Sequence, residues 1–288
     1  MLHKRGWVIA MIWICLGTSV LQAEGLLDVA SVESFALGQS VTAYRAPEAI
    51  IKNPAAATSI RRAYITSSYA SYFDASYTVL GLSAGIPLGN QAGLAVVVPI
   101  QYVADIPESI SDGGQAKKIG SFEDLSTMAM VAIAYRWEAL SLGASLSGEY
   151  QSIHRQTAFG LTMGFGTQIS IKHISVGASI QDMSLSPKKW STGYEEISRP
   201  TCRLGMAYSG VESITVLSDV VLDPHDQSLW VNGGVKWQPM PLFSVRAGWE
   251  SPMGMRLGTS LDLGSVKIAY GFSSAEWTGA VHKLSLTF

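Results

Sequence analysis

The chain has 288 residues, of which 48% are hydrophobic but only 15% are charged, with a formal net charge of −2 at pH 7. A soluble domain typically has about 25% charged residues, so this composition argues against an ordinary soluble domain and indicates a surface that faces a medium less polar than water. The near-neutral balance also argues against a nucleic-acid partner, which requires basic patches.

Residues 1–23 have the pattern of a secretory signal peptide. A basic start at residues 3–5 precedes an apolar run at residues 7–20, and Ala23 offers a small residue at the cleavage position. The apolar run is shorter than the ~20 residues that a membrane-spanning helix needs, so we expect a cleaved signal rather than an anchor. Its removal leaves Cys202 as the single cysteine, which excludes an intramolecular disulfide.

Residues 24–60 follow without the alternation of apolar and polar side chains that marks the remainder of the chain. They contain a stretch of small residues at 34–43 and the triplet Asn53-Pro54-Ala55. A wide β-barrel cannot be filled by the side chains of its own wall, so it needs a plug or remains a pore. We therefore predict that residues 24–60 form an N-terminal plug, or hatch, in the lumen of a barrel formed by residues 61–288.

Residues 61–288 alternate between apolar and small or polar side chains, which is the period of a β-strand. Between Leu140 and Gln151, for example, leucine, alanine, glycine and tyrosine residues form one face, and serine, glycine, Glu149 and Gln151 form the other. A soluble β-sandwich can show the same alternation, but it would carry more charge and shorter strands. The pattern therefore predicts a transmembrane antiparallel β-barrel.

We count fourteen such strands, an even number that is typical of bacterial outer-membrane barrels and that puts both chain ends on the periplasmic side. The predicted fold class is therefore all-β, with one barrel domain at residues 61–288. The predicted strands span residues 62–72, 75–87, 91–106, 124–137, 139–152, 156–169, 172–184, 199–209, 212–223, 227–238, 241–250, 254–264, 266–275 and 279–288.

The lengths of the connections set the expected orientation of the barrel. Short turns are expected on the periplasmic side and longer loops outside. The two long connections, at residues 107–123 and 185–198, both fall on the side that the strand count makes external, whereas the proposed periplasmic turns are tight. We therefore predict a barrel in the bacterial outer membrane with two long external loops.

Aromatic residues near the predicted strand ends form the girdle expected at the membrane interfaces. The chain closes with apolar residues at alternate positions and a terminal aromatic, Phe288. This ending resembles the signal that the barrel-assembly machinery recognises, so we expect that machinery and outer-membrane lipids as partners. The predicted girdle consists of Tyr135, Trp137, Tyr208, Trp237, Trp249 and Phe288.

The N-terminal segment and the first strand resemble the FadL-type family of outer-membrane transporters. The resemblance lies in the glycine-containing stretch of small residues, the triplet Asn53-Pro54-Ala55 and the aromatic-rich strand that follows. It implies a 14-stranded barrel whose hatch carries an Asn-Pro-Ala motif and which passes long-chain fatty acids and other hydrophobic compounds by passive diffusion. The chain is short for this family, with little room for the long external loops that carry a ligand site there.

Several other segments are similar to the PorV/PorQ-like branch of this superfamily, some members of which serve protein secretion. They are residues 190–193, 199–208, 245–250 and 282–286. The resemblance therefore leaves two alternatives to the transport of hydrophobic small molecules. One is a scaffold or shuttle barrel of a secretion system, and the other is a general porin.

Two features of the predicted wall are candidate functional sites. Pro99 interrupts the third strand, where it cannot donate a ladder hydrogen bond. A kink in the third strand opens a lateral exit in the FadL-type family, so Pro99 is a candidate strand break, with a harmless bulge as the alternative.

The second feature is a set of inward charges that we expect to brace the hatch against the wall, because charges inside a protein are normally paired. The set comprises Arg246, Arg256, Asp262 and Lys267, with Lys236, Glu250 and Lys283 nearby.

The sequence offers no arrangement that favours catalysis. The five histidines lack the spacing of a zinc site, and neither a phosphate-binding glycine loop nor a serine-hydrolase elbow is present. We therefore expect neither an enzyme nor a cofactor nor a metal site.

Gly160, Gly164 and Gly166 lie on one face of a predicted strand, where the missing side chains leave room for a close neighbour.

Overall fold

The computed structural model describes residues 31–72, 77–112, 115–224, 227–275 and 279–288. The predicted signal peptide, residues 1–23, lies outside the described residues, as do residues 24–30 at the start of the predicted hatch. The described chain consists of a short N-terminal part with helical turns, followed by long antiparallel strands.

Fourteen strands of the described residues form one closed barrel. They are β1 (Tyr64–Tyr72), β2 (Tyr77–Leu88), β3 (Ala92–Asp112), β4 (Gln115–Trp137), β5 (Leu140–Ile153), β6 (Gln156–Ile171), β7 (Ile174–Trp190), β8 (Thr201–Val211), β9 (Ile214–Asp223), β10 (Ser228–Met240), β11 (Phe243–Glu250), β12 (Gly254–Asp262), β13 (Lys267–Ala275) and β14 (Gly279–Thr287). Each strand pairs antiparallel with its neighbour in the chain, and β1 pairs with β14, so the sheet closes on itself. This confirms the predicted fourteen-stranded all-β barrel. A two-residue strand, Glu195–Glu196, pairs with the end of β7 outside the barrel wall.

The strands differ from the prediction mainly at the end that the sequence made external. The predicted loop at residues 107–123 is wrong, because β3 continues to Asp112 and β4 already begins at Gln115. The predicted loop at residues 185–198 begins too early, because β7 runs to Trp190. Register shifts insert extra residues into β3 and β4 where these strands pair with each other, and into β7 where it pairs with β6. Such bulges disturb the period of two in the sequence while the strands remain paired.

The end of the barrel at which β1 begins and β14 ends is termed the terminal end. The N–H of Phe288 donates to the carbonyl of Ile65 over 2.9 Å, and the N–H of Ile65 donates back over 3.1 Å, so the last residue seals the seam between β1 and β14. The turns that join β2 to β3, β4 to β5 and β6 to β7 lie at this end and are short. Barrels of this kind place their short turns on the periplasmic side.

The two faces of the wall have opposite polarity. In β9, Asp219 and Asp223 are buried on the inner face, whereas Val216, Val220 and Leu222 are exposed on the outer face. Each of the remaining thirteen strands likewise exposes large apolar side chains on its outer face. Exposure of apolar surface to water costs about 25 cal/mol per Å², so this outer surface is suited to hydrocarbon and not to water.

The aromatic residues of the predicted girdle are all exposed on the outer surface. Trp137, which is 71% exposed, ends β4 at the terminal end, and Trp249 lies at the other end of the barrel in β11. Aromatic residues at these levels are typical of the two membrane interfaces. Among the described residues, no helix has the length and apolar character needed to cross a membrane.

Residues 31–60, here termed the N-terminal segment, are almost entirely buried against the inner face of the wall. The segment begins with the helix α1 (Val32–Ala36), which Ser31 caps through a 3.1 Å hydrogen bond from the Ser34 amide. Two 3₁₀ helices follow, Pro47–Ala49 and Pro54–Ser59, each opening on a proline. Proline is favoured there because its fixed φ suits the first helical residue and its missing N–H would be unpaired anyway.

Candidate functional site in the barrel lumen

A belt of wall glycines receives the N-terminal segment. Each belongs to a strand and would, with a Cβ added, contact or overlap the segment. A Cβ on Gly143 would overlap the backbone of Ala55, and one on Gly177 would overlap the carbonyl of Thr42. Glycine is required where two backbones approach so closely. The belt comprises Gly85, Gly93, Gly143, Gly166, Gly177, Gly205, Gly234, Gly248, Gly258 and Gly271.

The N-terminal segment follows this belt around most of the wall. It starts at β13, where Phe35 contacts Gly271, and it ends at β2, where Ile60 contacts Gly85. Between these points it passes the glycines of β12, β11, β10, β8, β7, β6, β5 and β3 in that order. Among the described strands, β1, β4, β9 and β14 have no member of the belt. The segment still contacts β4 and β9, whereas β14 and β1 face the gap between its two ends.

The triplet Asn53-Pro54-Ala55 joins three parts of this structure. The side-chain oxygen of Asn53 accepts a 3.0 Å hydrogen bond from the Ala55 amide and so caps the second 3₁₀ helix. Its side-chain nitrogen donates to the Thr42 carbonyl at 2.8 Å and to the Thr167 carbonyl of β6 at 3.0 Å. Gly166 makes room for the Asn53 side chain. One buried amide therefore links the helix start, an earlier part of the segment and the wall.

Further wall side chains hold the middle of the segment through its backbone. Asp219 of β9 accepts two hydrogen bonds from Thr42, one from the amide at 3.0 Å and one from the hydroxyl at 2.6 Å. Gln168 of β6 donates to the Thr42 carbonyl at 3.0 Å, and the Ser179 hydroxyl of β7 donates to the Lys52 carbonyl at 2.7 Å. The sequence analysis missed Asp219, although a lone carboxylate at an inward position between Leu217 and Val221 was the available signal.

The predicted lumen charges meet the two acidic residues of the segment. Lys267 forms ion pairs with Glu33 and with Glu48, the latter at 2.7 Å, and Arg246 lies 3.7 Å from Glu33. Burial raises the pKa of the Glu48 carboxyl, but the Lys267 ammonium more than offsets this and leaves that pKa below its usual range. Asp262 instead accepts a 2.9 Å hydrogen bond from the Gly264 amide in its own turn.

The remaining charges on the inner wall have different partners. Arg256 pairs with Glu250 of β11 and lies over the ring of Phe35. Lys283 also lies over that ring, at 3.9 Å from its centre. Lys236 donates to the Tyr44 hydroxyl over 3.2 Å. The structure therefore brings Arg246, Arg256 and Lys267 against the N-terminal segment, and leaves Asp262 at the edge of the lumen.

A cavity of about 250 Å³ lies in the gap between the two ends of the segment. Glu33, Glu48 and Ile51 line it from the segment, and Thr66, Ser83, Lys267 and Thr287 line it from the wall. A larger depression of about 470 Å³ lies between the turns that follow β8 and β10, but it opens to solvent at the terminal end. The smaller cavity is therefore the better candidate for a site within the lumen.

Pro99 does not interrupt β3. The strand runs through it, pairs it with Gly81 of β2, and keeps the same register with β4 at Val97 and at Ile100. The Pro99 carbonyl accepts a 2.9 Å hydrogen bond from the Thr127 hydroxyl. The missing N–H removes one possible ladder bond, and neither Val98 nor Pro99 is paired with β4, although both are paired with β2. The strand therefore continues through Pro99, and its role as a break at a lateral exit stays a prediction.

The described residues contain no grouping of three His, Cys, Asp or Glu side chains that would hold a metal ion.

Two of the glycines predicted to have a close neighbour, Gly160 and Gly164, face Lys188 and Gln181 of the neighbouring strand β7. Only Gly166 of that trio faces the N-terminal segment. The glycine positions thus indicated close neighbours, but their identity depends on the three-dimensional fold.

Comparison with known proteins shows likeness at the level of the fold. No protein-family model matches the chain, and no curated protein matches its sequence. The Pseudomonas putida toluene transporter TodX superposes with a TM-score of 0.66 at 11% identity, covering 89% of this chain and 96% of TodX. A TodX mutant described as a monoaromatic hydrocarbon channel gives 0.62 at 11% identity, covering 89% and 97%. A Pseudomonas aeruginosa FadL homologue gives 0.58 at 9% identity, covering 90% and 98%. The chain therefore has the closed fourteen-stranded barrel fold of these channels.

Proposed function

We propose that the chain is an outer-membrane channel that passes hydrophobic small molecules by passive diffusion, with residues 24–60 as its hatch. The observation that carries the proposal is the N-terminal segment, which packs along the glycine belt around most of the inner wall and is almost entirely buried there. A barrel with such a segment inside suits a gated path for selected molecules better than an open aqueous pore. The shared fold with TodX and the FadL homologue, whose names describe a toluene transporter and a FadL protein, supports a hydrophobic substrate.

The charged contacts of the segment support a hatch that is fixed in part and movable in part. The backbone in the middle of the segment donates a hydrogen bond to Asp219 and accepts hydrogen bonds from Gln168 and Ser179. Its beginning is held by ion pairs from Glu33 and by ring contacts of Phe35. Ion pairs and ring contacts between side chains can re-form with new partners more readily than directed backbone hydrogen bonds.

Uptake of labelled toluene and labelled oleate into asymmetric vesicles tests the proposal. The outer leaflet of these vesicles is lipopolysaccharide, which slows the unaided entry of hydrophobic compounds and so gives a low background. Purified protein is expected to speed the entry of at least one probe relative to vesicles without protein. Equal rates for both probes with and without protein would contradict the proposed function.

A scaffold barrel of a secretion system is the second candidate. The observation that favours it is the hairpin of β3 and β4, which extends past the positions where β2 and β5 pair with it, at Tyr102 and Asp124, and so presents strand edges beyond the barrel. Such an edge can pair with a segment of another protein. Isolation of a stoichiometric protein partner from the native membrane, without uptake of either probe, would favour this candidate over the transporter.

A further inference from the structure

The path through the barrel depends on the side of the lumen that lies between the two ends of the N-terminal segment. The two ends of the N-terminal segment and its residues 47–51 line the 250 Å³ cavity there, together with residues of β12, β13, β14, β1, β2 and β3. On the opposite wall, from β5 to β11, the segment touches the backbone of the barrel itself. A molecule that crosses the lumen without displacing the hydrogen-bonded middle of the segment therefore has to pass beside β14 and β1.

Phe35 blocks this side of the lumen next to the cavity. Its side chain is 1% exposed and packs in one cluster with Ala70, Tyr72, Val79 and Val281. These four wall residues belong to β1, β2 and β14, the same strands that line the cavity. The ring therefore bridges the space between the N-terminal segment and the uncovered wall.

The strand positions place Phe35 directly beyond the cavity as seen from the terminal end. On β14 the cavity is lined by Ser285 and Thr287, whereas Val281 of the Phe35 cluster lies further from the terminal end. Inward residues succeed one another at every second position of a strand. The same order holds on β1, where Thr66 lines the cavity and Ala70 and Tyr72 join the cluster, and on β2, where Ser83 lines the cavity and Val79 joins the cluster.

Two buried cations hold the Phe35 ring. The guanidinium carbon of Arg256 lies 4.3 Å from the ring centre and the ammonium of Lys283 lies 3.9 Å from it. Both residues are almost fully buried, so these contacts are shielded from water. Phe35 itself belongs to α1, a helix of five residues, which is too short to be stable without such contacts.

We propose that the route through the barrel passes beside β13, β14, β1 and β2 through the 250 Å³ cavity, and that Phe35 is its gate. This inference rests on the proposed channel function and adds the location of the path to it. The gate opens when α1 moves away from Arg256 and Lys283, while Asp219 and Asn53 keep the remainder of the segment on the glycine belt. The route is axial and does not require a break in β3.

Single-channel recording in planar bilayers with KCl tests the gate without any substrate. Phe35→Ala is expected to raise the conductance or the open fraction several-fold. The matched control is Leu37→Ala, because Leu37 is equally buried on the same segment but packs in a different cluster and does not itself line the cavity. Unchanged conductance of Phe35→Ala, or an equal rise in both variants, would overturn the assignment of Phe35 as the gate.

Ion selectivity provides a second readout that general loosening of the segment would not give. The path opened by Phe35→Ala runs past Arg256 and Lys283, and cationic side chains in a pore favour anions. The variant is therefore expected to prefer chloride, and Phe35→Ala/Lys283→Gln is expected to lose part of that preference. A preference that does not respond to Lys283 would place the current elsewhere and contradict the route.

Reversible cross-links test the same route with a transported probe. In a Cys202→Ser background, Val32→Cys with Gly271→Cys locks the gate side, since Val32 Cγ1 lies 3.2 Å from a Cβ on Gly271. Thr58→Cys with Ser141→Cys of β5 locks the other side, since the two hydroxyl oxygens lie 3.1 Å apart. The first lock is expected to stop toluene uptake until reductant is added, and the second is expected to leave it unchanged. The reverse result would overturn the route, whereas wild-type protein without uptake but with a Phe35-dependent pore would overturn only the channel function.

Discussion

Asp219 is the wall side chain that binds the N-terminal segment with two hydrogen bonds to one residue, Thr42. Hydrogen bonds to a charged group contribute about 1.5–3 kcal/mol, and removal of the acceptor leaves a buried amide without a partner. Asp219→Ala is therefore expected to lower the free energy of unfolding by about 2 kcal/mol, measured by urea titration with tryptophan fluorescence in detergent micelles. Ser218→Ala, on the outer face of the same strand, serves as the control and should change it by less than about 0.5 kcal/mol.

Lys267 has the largest electrostatic role of the predicted lumen charges, because it pairs with both Glu33 and Glu48. Removal of one partner from a buried ion pair typically costs about 3–5 kcal/mol, since the other charge remains buried without compensation. Lys267→Met should therefore destabilise the protein strongly, and a further change of Glu33→Gln and Glu48→Gln should recover part of the loss. Lys189→Met breaks an exposed pair with Glu195 and should cost less than about 1 kcal/mol. Equal losses for the two lysine variants would contradict a structural role of the buried pairs.

Protonation of Glu48 at acidic pH should weaken its ion pair with Lys267. The pKa of Glu48 is lower in the folded chain than its usual value, so the stabilisation is fully present above about pH 4.3 and is lost progressively as the pH falls from there through the lower pKa of the folded chain. We expect the free energy of unfolding, measured by urea titration at each pH, to fall as the pH is lowered below about 4.3. The free energy of Glu48→Gln should change less with pH, and an identical pH profile for the two proteins would exclude Glu48 as the cause.

At the scale of the element, the hairpin of β3 and β4 is longer than the barrel requires. Beyond Tyr102 and Asp124 these strands pair with each other and no longer with β2 and β5. Replacement of residues 105–123 by a two-residue turn should therefore leave the barrel closed and change its free energy of unfolding by no more than about 1 kcal/mol. Retention of heat-resistant migration on gels would show a closed barrel, whereas its loss would mean that the hairpin is needed for assembly.

The strands and the contacts between distant residues were not equally accessible to sequence analysis. The alternation of side chains gave the number of strands and the faces of residues such as Arg246 and Lys267, because the period of two is a local property. It failed where bulges disturb the period, so the ends of β3, β4 and β7 were missed. The contact of Asp219 with Thr42, 177 positions apart in sequence, depends on how the segment lies in the lumen, and no local pattern encodes that placement.

At the scale of the whole molecule, the wall and the N-terminal segment have separable roles. Every strand of the wall pairs with two other strands, so closure of the barrel does not require the segment. The glycine belt, by contrast, is shaped for the segment, because these positions carry no side chain that would fill the lumen in its place. Fourteen strands enclose a wider space than wall side chains alone can fill. The wall without the segment should therefore be a stable but open barrel.

Deletion of residues 31–58 tests this division directly. The shortened protein should still show heat-resistant migration, and its KCl conductance should be large and steady, with little preference between hydrophobic probes and small polar solutes. Asn53→Ala, which removes one anchor and leaves the segment in place, should give only brief openings. A barrel that forms but does not conduct after the deletion would mean that the wall fills its own lumen, so that selectivity is a property of the wall. A failure to form the barrel would mean that the segment guides the pairing of β1 with β14. In the expected case, an open and unselective barrel, selectivity is a property of the segment.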